Sequence, residues 1–265
     1  MAREPIVAGQ FYEDERLKEQ LEECFSGVEV SENKNLKACI SPHAGFVFSG
    51  KCAAHSFSNM PKAETYVILG PSHEGNANSV SYADWKTPLG ILKNDIEFSK
   101  KLKIKNNEDA HKHEHSIEVQ LPFLQHVHPD AKIVPILVSD HPGIAEEIAR
   151  VAKEMGRSVI VIASSDFTHY GPVYNYVPFR INAKEKLYKL DRGAIDFILK
   201  FDAAGFLGYI GENGATICGK EPITALIEYC KLAGIKKSKL LKYYTSGDIF
   251  GDYSAAVGYA SIGFY

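Results

Sequence analysis

Short, fully apolar runs alternate along this chain with longer stretches whose apolar side chains recur every third or fourth position. The runs fall at 37–41, 65–70, 133–138 and 158–163, and their β-branched members predict buried strands. The amphipathic stretches predict helices over 15–25, 51–58, 115–126, 143–155, 181–200 and 220–233. The end, 240–265, reads as two strands around the turn Ser246-Gly247-Asp248. Strands that are apolar at every position need cover on both faces. Their alternation with helices therefore predicts an α/β fold, a three-layer α/β/α sandwich with a mixed, mostly parallel central sheet. Two prolines test this reading. Pro135 predicts an edge or a bulge in its strand, and Pro122 should disturb its helix unless it lies near the start.

Composition narrows the classes. The 265 residues include no linker-like or low-complexity run, so one domain over 1–265 is expected. Net charge is −3, and the lysines at 100–105 and 236–239 look like solvated faces, so no nucleic-acid partner is expected. No apolar stretch approaches the ~20 residues of a membrane span. Met1-Ala2-Arg3-Glu4-Pro5 opens no signal-peptide core, so no membrane association and a cytoplasmic location are expected. The five cysteines are scattered and form no CxxC pair, which argues against a disulfide framework or a zinc knuckle.

The candidate chemistry sits just beyond the apolar runs. Ser41-Pro42-His43-Ala44-Gly45 and Gly70-Pro71-Ser72-His73-Glu74-Gly75 repeat one design, a strand followed by a turn and a histidine. Ligands of open α/β sheets bind at the carboxyl ends of strands, and imidazole is the commonest metal ligand. A third strand end, Ser164-Ser165-Asp166-Phe167-Thr168-His169, adds a carboxylate and an imidazole three positions apart, the composition of an acid/base group oriented by a carboxylate. Asp248 could add an anionic ligand, although Ser-Gly-Asp also suits a plain turn. Two histidines and a carboxylate suit non-haem Fe(II), and with a bound water they also suit hydrolytic zinc. In the run His111-Lys112-His113-Glu114-His115, His111 and His113 read as exposed. The polar groups from Glu114 to Gln120 read as partners that orient ligands. Cys218 reads as a core thiol. Phe46, Phe48, Trp85, Phe167 and Tyr170 are candidate walls of a pocket.

Seven segments, in order along the chain, resemble the MEMO family. They are Val7-Ala8-Gly9-Gln10-Phe11-Tyr12, Pro42-His43-Ala44-Gly45, Gly70-Pro71-Ser72-His73, Glu114 to Pro122, Ser164 to His169, Thr216-Ile217-Cys218-Gly219 and Gly251-Asp252-Tyr253-Ser254. The resemblance implies a fold related to the class III extradiol (LigB-like) ring-cleaving dioxygenases. Those enzymes hold Fe(II) with two histidines and a glutamate and use a further histidine as acid/base. By position, His43 and His73 match the metal histidines and His169 the acid/base, with Asp166 as its partner. The dioxygenases place a glutamate, and the animal MEMO branch a cysteine, at the third ligand position. Asp248 stands nearest to it here, with Asp252, Cys218 and Glu74 next.

The reading that results is a mononuclear metal site, a non-haem iron dioxygenase-like enzyme acting on a small oxygen-chelating substrate. The expected cofactor is Fe(II), with Zn or Cu as alternatives. Two other classes stay open, a peptide- or metabolite-binding scaffold (the animal branch is associated with signalling) and a metal-dependent hydrolase. Oligomeric state is not addressed by the sequence.

Overall fold

A computed structural model describes residues 2–30, 35–75 and 77–265. Its ten-stranded sheet comprises β1 (Ala38–Ser41), β2 (Thr65–Pro71), β3 (Ser79–Val80), β4 (Trp85–Thr87), β5 (Gly90–Asn94), β6 (Lys132–Val138), β7 (Val159–Ser164), β8 (His169–Tyr170), β9 (Ser238–Thr245) and β10 (Ala256–Phe264). The order is β4-β5-β6-β2-β7-β1-β10-β8, with β3 on β6 and β9 on β10. The centre, β5-β6-β2-β7-β1, is parallel, and antiparallel pairs flank it.

Side-chain alternation splits the core into two layers. Val67 and Leu69 of β2, Val134 and Ile136 of β6, and Val161 of β7 face one side. There they meet α3 (Ile96–Lys101), α6 (Ile144–Met155), α7 (Ala183–Leu199), α8 (Ala203–Asn213) and α9 (Lys220–Leu232). Tyr66 and Ile68, Ile133 and Leu137, and Ile160 and Ile162 face the other. That side is covered by α1 (Leu17–Phe25), α2 (Phe46–Ser58), α4 (Glu108–Lys112) and α5 (Leu121–Val127). The three-layer α/β/α architecture with a mixed sheet is thus the observed one.

Two details depart from the sequence expectation. The Ser246-Gly247-Asp248 segment is not a turn but the start of a short helix, α10 (Ser246–Phe250), closed by a Thr245/Asp248 capping box. Pro135 lies within a strand flanked on both sides, with no bulge at its position. Its carbonyl accepts the Ser81 amide at 3.0 Å, so its missing N–H points to that same side. There β5 has stopped pairing at Ile133 and β3 begins at Ile136, so no ladder bond is lost. Pro122 occupies the first turn of α5, where the absent N–H costs nothing.

Candidate metal centre

β2, β7 and β1 are neighbours and parallel, so their carboxyl ends share one edge of the sheet. His73, Ser164 and His43 emerge there side by side. The His43 and His73 rings lie 5.4 Å apart at 86°. His115 completes the group. It stacks on His73 at 4.8 Å and stands edge-on to His43 at 5.6 Å. One ring nitrogen from each of the three lies within 4.8 Å of the others. His115 can approach because Gly70 has no side chain, since a Cβ there would sit 2.5 Å from Ser116 Oγ and 2.6 Å from Ile117.

Hydrogen bonds fix which nitrogen each ring offers. Ser164 Oγ gives its hydrogen to the Ser116 carbonyl at 2.7 Å and accepts one from Gln120 Nε2 at 2.9 Å. Its 2.9 Å contact with His43 Nδ1 must therefore be donated by the ring, which leaves His43 Nε2 as the electron-pair donor. His73 Nδ1 lies 2.9 Å from Glu114 Oε1, and the His73 amide donates to the same carboxylate at 2.9 Å. This is the carboxylate–histidine pairing that orients metal ligands. Burial alone would raise the Glu114 carboxyl. Bonds and charge from His73 and the amides of Ser116 and His73 outweigh it and hold Glu114 well below the usual carboxylate range. Burial, reinforced by the charges of His115 and His73, pushes His43 well below the ordinary imidazole value, which favours the neutral, ligating form.

His169 lines the same cavity of about 420 Å³ as this group, with Gln10, Phe11, Phe48, Tyr174, Ser246, Val257 and Tyr259 among the other walls. Its Nδ1 donates to the Thr216 carbonyl at 3.1 Å, so Nε2 is free. Asp166 lines the same cavity, but its Oδ1 accepts the amides of His43 at 2.8 Å and Ala44 at 3.3 Å. It shapes the His43 turn, and the contact that orients the His169 ring comes from Thr216. Burial raises Asp166, and the charge of His169 is the largest opposing influence.

The family model described as Memo-like protein matches residues 3–263. The chain belongs to the MEMO family. A MEMO1 family protein of Methanosarcina mazei is 42% identical over a 273-residue alignment that covers 98% of each chain. One from Pyrococcus abyssi is 42% identical and covers 99% of each. A crystal structure of an uncharacterised Escherichia coli protein superposes with a TM-score of 0.51 at 11% identity, covering 86% of this chain and 99% of that one, a likeness of fold.

In this MEMO-family chain the structure gathers His43, His73, Asp166 and His169 and leaves Asp248 apart. The Asp248 carboxylate accepts Tyr188 at 2.6 Å, Tyr253 at 2.5 Å and the Thr245 amide at 2.9 Å, and it pairs with Lys184 at 2.9 Å. It lines a different groove, beside Lys51 and Lys242. The side chain gathered with His43 and His73 is a third imidazole, His115. Asp252 is exposed and bonded to Ser254, and Glu74 is exposed. Cys218 is no plain core thiol, because its Sγ lies 3.2 Å from His43 Nε2. His111 is fully buried rather than exposed. Of the aromatic walls expected, Phe48 lines the cavity. Trp85, Phe167 and Phe46 are buried in the molecule, and Tyr170 stacks on Phe179. His115 had a usable signal in the polar run Glu114–Gln120, but its role depends on a contact across the fold with β2.

Proposed function

We propose that this protein is a mononuclear metal-dependent enzyme of the non-haem iron dioxygenase type, acting on a small substrate that presents adjacent oxygens. The observation that carries the reading is the convergence of His43, His73 and His115 nitrogens within 4.8 Å, in one cavity with His169. Neutral imidazoles suit Fe, Zn and Cu alike. The donor set fits such an ion, since His43 and His73 each have Nδ1 occupied, which turns Nε2 to the ion, and His43 Nε2 meets the Cys218 thiol, itself a metal-ligand type. When bound, the metal supplies a Lewis acid that polarises substrate oxygens. The chain does the rest. Phe11, Phe48, Tyr174 and Tyr259 hold an apolar ring and exclude water, and the cavity suits a single-ring molecule. His169 Nε2 takes a proton from a substrate hydroxyl and returns it from the same atom, while Nδ1 keeps its hydrogen on Thr216.

The all-imidazole set also favours a second reading, a zinc-type hydrolase, because three histidines and an open position are a catalytic zinc arrangement. The test is anaerobic loading with Fe(II), then O2 uptake with catechol-type substrates, run beside a zinc-loaded ester and amide screen. O2 consumption abolished by His169→Ala, with metal retained, supports the oxygenase. Hydrolysis with zinc supports the second reading. Inactivity across Fe, Zn, Mn and Cu supports a scaffold that binds peptides or metabolites.

A further inference from the structure

One residue from a distant segment grips His169 on three sides. Thr216 Oγ1 accepts the His169 amide hydrogen at 2.9 Å and donates its own to the His169 carbonyl at 2.7 Å. The Thr216 carbonyl accepts the ring Nδ1 hydrogen at 3.1 Å. A carbonyl has no hydrogen to give, so the contact admits only one neutral tautomer, with the hydrogen on Nδ1. Tyr174 also stands edge-on to the ring at 5.1 Å, a contact that selects no tautomer, and the remaining contacts hold the backbone of the 165–169 strap. Val257 pairs with His169 in the ladder, the Gly258 amide donates to the Thr168 carbonyl at 3.1 Å, and the Thr168 amide donates to buried Asp191 at 3.2 Å.

The rest of the 216–219 segment lies flat on the same strap. The Gly219 amide donates to Ser165 Oγ at 3.0 Å, and a Cβ on Gly219 would overlap Ser165. Cys218 Sγ accepts the Asp166 amide at 3.2 Å. The segment cannot slide, so the position of the Thr216 carbonyl is set independently of the ring it meets. The hydroxyl then sets the His169 backbone relative to that carbonyl. This needs a side chain that both accepts and donates, which serine can replace and valine cannot.

We propose that Thr216 is the positioning residue of His169. Its hydroxyl locks the backbone so that the Nδ1 hydrogen stays on the Thr216 carbonyl and the Nε2 lone pair faces the cavity. The inference rests on the reading of His169 as the proton-transfer group. In that step the substrate O–H bond breaks, its electron pair stays on oxygen, and a new N–H bond forms at Nε2.

The test is long-range nitrogen–proton correlation NMR on protein carrying 15N-labelled histidine, with the His169 signal assigned by its loss in His169→Asn. Neutral His169 should show the Nδ1–H pattern alone in the wild type and in Thr216→Ser. Thr216→Val should lose the single pattern and give a mixture of tautomers, with the His43 and His73 signals unchanged. An Nε2–H ring in the wild type overturns the proposal without any variant, so a folding failure of Thr216→Val cannot shelter it. A single Nδ1–H pattern in folded Thr216→Val overturns it as well. Failure of the acid/base reading is separate, since it appears as undiminished turnover in His169→Asn and leaves these spectra as they are.

Discussion

Three of the histidines around the cavity have Nδ1 already engaged. Ser164 occupies it in His43, Glu114 in His73 and the Thr216 carbonyl in His169. Each arrangement leaves Nε2 as the other ring nitrogen, the atom the proposed function uses. His111 shows the contrast. It is buried against Trp85 with Nε2 near Ser79 Oγ at 3.3 Å, and burial lowers it to about 4, a neutral packing residue. Glu114 acts through His73, so Glu114→Gln should weaken metal binding by about 10- to 100-fold. A competition titration against a chelator measures this. Asp248→Ala should leave metal binding unchanged and lower stability by about 1 kcal/mol, the usual cost of a lost helix cap. Urea unfolding with parallel metal analysis separates the two effects, and metal loss in Asp248→Ala would restore it as a ligand. These residue roles were half legible. The strand–turn–histidine repeats pointed to His43 and His73. The Asp166–His169 spacing pointed to the right strap but to the wrong orienting partner, because Thr216 is distant in sequence.

Elements place these side chains through packing that leaves little slack. Gly70 lets the Glu114–Ile117 segment lie against β2, and Gly258 leaves room for the Asp191 carboxylate of α7. Asp191 is fully buried, accepts the Thr168 amide at 3.2 Å and Tyr243 Oη at 2.7 Å, and faces no cation among its direct partners. Burial pushes its pKa up from 3.8 to about 6, against the opposing bonds from Thr168 and Tyr243. As pH rises from about 4 to about 6 the unfolded chain ionises first, so the native state loses stability across that window and levels off above it. A two-unit shift corresponds to about 3 kcal/mol. Asp191→Asn should flatten this slope, as read from urea midpoints at about pH 4 and about pH 7. A parallel slope in the variant would assign the effect to other carboxylates. The apolar strands and the helices α1, α2, α5, α6, α7 and α9 were visible in the pattern, whereas the eleven-residue α8 was not. The short elements β3, β4, β5, α3 and α4 were not, since so few residues give no period to read.

At the scale of the molecule, the order β2-β7-β1 makes the site. It places on one edge the ends of three strands, at Ser41, Pro71 and Ser164, and His115 reaches them from the segment that precedes α5. A ligand bridging these segments binds the folded state alone. Zinc at about 100 times its Kd should therefore add about 2.7 kcal/mol of stability. Thermal unfolding with and without metal measures the gain, and His43→Ala should abolish it. An equal gain in His43→Ala would place the ion elsewhere, for instance at the half-buried group of Asp140, His141 and Glu221. No helix among the described residues is long and apolar enough to cross a membrane.

The sequence alone determined the layers, because apolar periodicity reports which faces need cover, and each strand needs both. It also determined that histidines follow two of those strands, because a turn at a strand's carboxyl end is a local feature. Only the tertiary structure decided which side chains gather beside His43 and His73. Whether Asp248, His115 or Cys218 stands beside His43 and His73 depends on which segment lands there, and that is a distance between residues far apart in the chain. Asp248 is taken up elsewhere, as the third helical residue of the Thr245 capping box, held also by Tyr188, Tyr253 and Lys184. His115 was brought in by the fit of its segment against Gly70. The partner of His169 was decided in the same way, by a hydroxyl from residue 216 that no local pattern connects to it.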